Sequence, residues 1–250
     1  MREGMCMTVG RYKMAGKVIE IRSLYPEVHT YCRDFAAAET PDFTVEVTEA
    51  DIAFERDKSA REERREGRPV TDYPAPYLEE LAVYRKIAEK MPDYGIMLFH
   101  GSVIAADGLG YLFTAKSGIG KSTHTRLWRE MLGARAVTVN DDKPLLRMDA
   151  DGFTACGTPY NGKHGLGCNL EVPLRGLCIL TRAQENRIVR IAKQEAYPML
   201  LQQVYRPADA EAMKKTLVLI DRLAAVTPLY RLGCNMDPEA AQVAYRAMKG

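Results

Sequence analysis

Residues 115–123, AKSGIGKST, constrain this chain more than any other stretch. The pattern G-x-x-x-x-G-K-[ST] works because successive backbone N–H groups wrap a phosphate, a lysine reaches the terminal phosphates and a hydroxyl meets magnesium. Here Ala115 stands at the first glycine position, followed by Lys116, Ser117, Gly118 and Ile119, then Gly120, Lys121, Ser122 and Thr123. Alanine serves at the first position where the backbone keeps an ordinary φ. The context is the one the pattern requires. The apolar strand YLFTA at 111–115 precedes the loop, and a helix from about Ser122 to Leu132, closed by Gly133, follows it. That helix presents its partly positive N-terminus to the loop. A glycine-rich turn of no function is the alternative; strand, loop, lysine, hydroxyl and helix arriving together argue against it.

The surrounding residues supply partners. GIMLFHGSVIAA at 95–106 reads as one strand, turned back by Asp107-Gly108 into the strand that feeds the loop. His100 ends the first of these, where the hairpin register brings it toward the phosphates or the acids; a structural histidine is the other reading. AVTV at 136–139 is a strand ending in Asn140-Asp141-Asp142. Ligands of open α/β sheets gather at strand C-terminal ends. One of the paired acids suits a magnesium ion and the other suits the proton of an attacking hydroxyl. If the strand continues, alternation sends the two side chains to opposite sides, with Asp141 assigned as base and Asp142 as the metal-side carboxylate, or the reverse if the chain is already turning toward Pro144. GTPYNGKHGLG at 157–167 carries Lys163 and His164 in a glycine-rich setting. It reads as a flap touching phosphate or substrate, or as an ordinary loop. Arg182, Asn186, Arg187 and Arg190 read as a solvated hairpin or as groups reaching the nucleotide.

The remaining chain bounds the answer. Its 250 residues allow one large domain or two unequal ones, here a small N-terminal α/β region at 1–90 and a nucleotide-binding domain at 91–250. In the first, strands are expected at 17–21 and 43–47, a helix near 28–38, and a helix at 77–90 with one apolar face. The charged run 57–69, DKSAREERREGRP, reads as a solvated loop or an exposed helix. In the second, a hairpin of PLLRM and FTAC, strands at 174–180, 187–192 and 228–232, helices from about Gln194 and Ala208, and a final helix capped by Asp237 complete the pattern. A formal net charge of +2 gives no argument for nucleic acid or a membrane surface. The N-terminus lacks an apolar secretory core, so a cytoplasmic location is expected. The six cysteines, Cys6, Cys32, Cys156, Cys168, Cys178 and Cys234, form no C-x-x-C pair and are expected as free thiols filling space, ahead of a metal site from Cys156, His164 and Cys168.

A hairpin feeding the phosphate loop departs from the usual parallel arrangement. With His100-Gly101, SGIGKS at 117–122 and Asp141-Asp142, it resembles the catalytic domain of HPr kinase/phosphorylase, whose fold class includes phosphoenolpyruvate carboxykinase. NDDKP at 140–144 and GTPYNGKHG at 157–165 look like the small bacterial HPr-kinase-like proteins, some of which phosphorylate serine in peptides. The resemblance covers about 98–180 and implies a fold: an α/β nucleotide-binding core with a mixed sheet. It also implies cofactors, ATP and Mg2+, and roles. Lys121 would hold phosphate, Ser122 magnesium, Asp141 and Asp142 base and metal contact, and His100 would lie near the phosphates. The N-terminal part does not look like that of HPr kinase, and the chain is too short for the two lobes of a carboxykinase. The expected activity is ATP-dependent phosphoryl transfer to a hydroxyl, serine of a protein or peptide before a small molecule. A non-catalytic ATP sensor is the rival. Neither a nucleic-acid nor a membrane partner is expected; a homo-oligomer is compatible with the sequence.

Overall fold

Alternating apolar residues build the larger sheet. In the computed structural model, which describes residues 7–162 and 165–250, strands β5 (Ser102–Ala106), β6 (Leu109–Thr114) and residues 176–180 of β10 (Glu171–Arg182) are buried on both faces. Val103, Ala105, Leu112, Leu177 and Ile179 point to one core cluster. Ile104, Ala106, Tyr111, Phe113, Cys178 and Leu180 point to the other. This is period-two alternation with apolar residues in both registers, the mark of a sheet covered on both sides. Helices α5 (Lys193–Gln203) and α6 (Ala210–Val226) cover the first face with Leu200, Leu219, Ile220 and Leu223. Helices α4 (Lys121–Leu132) and α7 (Glu239–Lys249) cover the second with Leu127, Trp128, Ala244 and Met248.

The sheet is mixed. Its main path runs β4 (Ile96–Leu98), β8 (Leu145–Asp149), β9 (Gly152–Cys156), β10, β6, β5 and β7 (Ala136–Asn140). The twelve-residue β10 binds β9 antiparallel through its first residues, then β6 and β12 (Leu229–Cys234) parallel through the rest. β11 (Arg187–Arg190) pairs β12. The turn between β5 and β6 holds Asp107 and Gly108, both at positive φ (53° and 79°), as a two-residue I′ hairpin turn demands.

Contacts divide the chain into Met1–Ala88 and Glu89–Gly250. In the first unit, β1 (Thr8–Met14) and β2 (Lys17–Ser23) form a hairpin, and β3 (Phe43–Glu46) joins β2 in parallel. β1 escaped the sequence reading because its alternation is short: only Tyr12 and Met14 are buried, against exposed Arg11 and Lys13, while Val9 is apolar and exposed and Gly10 has no side chain. The helix expected near 28–38 shrinks to α1 (Glu27–Tyr31) and a single 3-10 turn, Arg33–Phe35. The charged run takes its helical option as part of α2 (Glu49–Arg65), which starts with a capping box between Thr48 and Asp51. Its two buried acids are satisfied: Glu55 accepts from Arg85 at 2.5 Å, and Glu63 accepts from the Thr71 backbone and the Tyr73 hydroxyl. α3 (Ala75–Lys90) buries Leu78, Ala82, Val83 and Ile87, as its spacing predicts.

Two further expectations are corrected. Residues 95–106 are two strands: the chain breaks at Phe99-His100-Gly101 and passes from one part of the sheet to another, β4 pairing β8 while β5 pairs β6 and β7. A side chain at Gly101 would press on Leu112 at 2.7 Å and the Phe113 carbonyl at 3.0 Å, so the break needs glycine. The final helix begins one residue later than its Asp237 cap implies, because Asn235 occupies both the backbone N–H and the carboxylate of Asp237. Among the described residues the cysteines are free thiols, and no helix is long and apolar enough to cross a membrane.

His124 on α4 packs edge-on to Phe113 at 4.7 Å, and its Nε2 accepts the Trp128 indole N–H at 3.0 Å. Burial pushes its pKa down to about 4. The unfolded chain protonates this ring near 6.5 while the folded chain resists, so its stabilisation is complete above pH 6.5 and fades as pH falls toward 4. Between pH 7 and pH 4 this one residue should remove about 3 kcal/mol. Urea unfolding at the two pH values, compared with His124→Gln, measures it: the variant should show the smaller pH dependence, and equal dependence would refute the assignment.

Candidate nucleotide and phosphoryl-transfer site

The loop after β6 closes over a cavity of about 630 Å³ whose wall includes His100, Ser117, Gly118, Ile119, Gly120, Lys121, Ser122, Thr123, Asp141, Asp142, Asn161 and Gly162. Two loop residues stand apart. Ala115 is fully buried with the α4-side core and its φ is ordinary, which is why alanine is tolerated there. Lys116 is exposed and outside the lining. Gly118 and Gly120 adopt φ of 76° and 118°, where a side chain would be strained. Lys121 opens α4 and lays its Nζ 3.4 Å from the Ala115 carbonyl. Burial pushes its pKa down, opposed by the Asp142 carboxylate.

The acids sit just past β7 rather than on it. The strand stops at Asn140, whose Oδ1 accepts the backbone N–H of Asp142 at 2.9 Å and of Lys143 at 2.6 Å. This Asx turn cancels strand alternation as a ground for separating the acids, and both line the same cavity. Each nonetheless has its own surroundings. Asp141 is buried; its Oδ1 accepts the Gly162 N–H at 2.5 Å and its carbonyl accepts the Ser102 hydroxyl at 2.9 Å. Asp142 lies 3.4 Å from His100 Nε2 and 3.8 Å from Lys143 Nζ. Burial would raise its pKa, but the His100 hydrogen bond and the charges of Lys143, His100 and Lys121 outweigh it, and the net shift is downward.

His100 reaches the site from the break between β4 and β5. Its N–H donates to the Gln203 carbonyl at 2.7 Å and its carbonyl accepts from Thr114 at 3.0 Å, which ties it to the end of the loop strand. The glycine-rich segment contributes Asn161 and Gly162, neither singled out by sequence; Lys163 and His164 lie outside the described residues. The signal for Gly162 was available in the segment's glycine content: a Cβ there would stand 3.2 Å from the Asp141 carboxylate. Gly157 is needed more strictly, since a Cβ would meet the Cys168 carbonyl at 1.8 Å and the Val139 carbonyl of β7 at 3.0 Å. Arg182, read as part of a solvated hairpin, donates to the Gly118 carbonyl at 2.6 Å and so holds the loop itself. Asn186 instead pins the start of α7 through Glu239 and Asn235.

A family model described as SynChlorMet cassette protein ScmC matches residues 77–237, more than half of the chain. The chain belongs to the ScmC family. The ScmC match takes in the phosphate loop, the acid pair, the glycine-rich segment and Arg182. Among solved structures, this ScmC-family chain is similar to the Hpr(Ser) kinase/phosphatase from Coxiella burnetii, with 12% identity and a TM-score of 0.36 over 61% of this chain and 99% of that one. No curated protein matches it.

Proposed function

We propose that this chain is an ATP-dependent kinase that moves the γ-phosphoryl group of Mg-ATP to a hydroxyl, a serine of a protein or peptide. The observation that carries the reading is convergence: the glycine loop with Lys121, both acids and His100 meet at one cavity although they come from three separate stretches of chain. Backbone N–H groups of the loop and the start of α4 favour phosphate oxygens. Lys121, already partly stripped of water, gains most from a phosphate beside it.

The residues present fit magnesium as a partner of the nucleotide. Among the described residues no group of three or more His, Cys, Asp or Glu makes a metal cage. The Ser122 hydroxyl and the Asp142 carboxylate supply two hard oxygens, and phosphate and water would complete the shell, the usual arrangement for this ion. When bound, magnesium neutralises charge on the β- and γ-phosphates. Asp142, held ionised by His100 and Lys121, suits that side. Asp141 is then assigned as the base. As the acceptor oxygen bonds to the γ-phosphorus, its proton passes to Asp141, the bond to the β–γ bridging oxygen breaks, and ADP leaves.

The test is incubation with γ-labelled ATP and cell extract, then chemical identification of the labelled species. The expected product carries label as an acid-stable, alkali-labile serine ester. Label found only on ATP would favour the sensor, and label released only as inorganic phosphate would indicate hydrolysis without an acceptor.

A further inference from the structure

The phosphate loop has a second chamber behind it. A cavity of about 530 Å³ shares Gly118, Ile119, Gly120 and Thr123 with the first, and its other wall is His124, Arg182, Ala183 and residues 234–236. Its character differs from the first: it carries no carboxylate, and Ile119, Ala183, Cys234 and Met236 give it apolar surface. Met236 stands at its rim, 77% exposed, more than any other large apolar side chain among the described residues. The Arg182 guanidinium is fixed there by the Gly118 carbonyl, so a flat face is already held in place. His124 adds a polar group. Its Nε2 is taken by Trp128, so the proton sits on Nδ1, and that atom is buried with no hydrogen-bond partner.

We propose that this chamber receives the purine base and ribose of the nucleotide whose phosphates occupy the first cavity. The inference rests on the kinase reading for the phosphates and adds the recognition of the nucleoside. A nucleoside triphosphate is a highly charged chain joined to a flat, weakly polar ring, and the two chambers separate those characters across one loop. Met236 and Ile119 offer apolar contact and Arg182 a cation to lie against the ring. The last strand, β12, and the stretch leading into α7 thereby become part of the nucleotide site, a role nothing in their sequence announces.

The experiment measures binding of Mg-ATP and of magnesium tripolyphosphate, which has the charged chain and no nucleoside, by calorimetry. Two variants at exposed wall positions, Met236→Asp and Ala183→Phe, leave the core untouched. Each should weaken Mg-ATP about tenfold or more while leaving tripolyphosphate affinity unchanged. Equal weakening of both ligands, or unchanged ATP affinity in both variants, overturns the base site while the phosphate site stands. Wild-type protein that binds neither ligand overturns the kinase reading as well.

Discussion

The Asp141→Asn protein should bind Mg-ATP with nearly unchanged affinity and turn over about 10²–10⁴-fold more slowly, the range typical of losing a general base. Asparagine keeps the shape of the side chain, and its carbonyl oxygen still accepts the Gly162 N–H that Asp141 Oδ1 accepts at 2.5 Å. The turn at Asn140 is held by other atoms, so the loop geometry survives. Only the ability to take a proton is lost. Asp142→Asn should behave differently. Its carboxylate is kept ionised by His100, Lys143 and Lys121, so neutralising it removes charge from the side where phosphate and magnesium meet. The expected signature is a raised magnesium requirement with a smaller loss at saturating metal. The pair thus separates two chemistries by two readouts, turnover and metal dependence. A nucleotide sensor has no turnover to lose and would show neither effect. A verified acceptor phosphorylated at the normal rate by the double asparagine variant would sink the mechanism.

What the sequence disclosed about this site follows from how local its signals are. The loop was legible because strand, glycines, lysine, hydroxyl and helix are contiguous, and the structure folds them in that order between β6 and α4. The Asp107-Gly108 turn was legible for the same reason. His100 reached the site by a route other than the one expected. A strand running through residue 100 would have carried it there in register; instead the chain leaves one part of the sheet for another at Phe99-His100-Gly101, and the crowding by Leu112 and the Phe113 backbone that demands glycine at 101 is a tertiary constraint. Both acids line the cavity, but strand alternation failed as their sorting rule because Asn140 caps the strand with its own side chain. Arg182 stood between a solvated hairpin and the nucleotide, and the 234–236 stretch was opaque. Arg182 ends β10 and Cys234 ends β12, with 235 and 236 just beyond, and only the parallel pairing of those strands, Leu180 against Leu232 and Arg182 against Cys234, brings them beside the phosphate loop. Long-range parallel pairing of this kind leaves no mark in sequence spacing.

The central claim, that this loop binds the phosphates of a nucleotide, concentrates on Lys121. It lines the cavity at the first residue of α4, it is half-buried, and its ammonium lies close enough to Asp142 to feel that charge. A lysine so placed is costly to the empty fold and useful to a bound phosphate. Replacing it with alanine removes a half-buried charge that the core does not need, since its hydrogen bond to Ala115 is long at 3.4 Å. The folded state should therefore persist, which thermal unfolding of the variant checks. The measurement is calorimetric titration of Mg-ATP into wild-type and Lys121→Ala protein at equal salt. Loss of a desolvated charge pair costs about 2–5 kcal/mol, so affinity should fall roughly 30-fold to several thousandfold. A folded Lys121→Ala protein that binds Mg-ATP as tightly as the wild type would contradict the account.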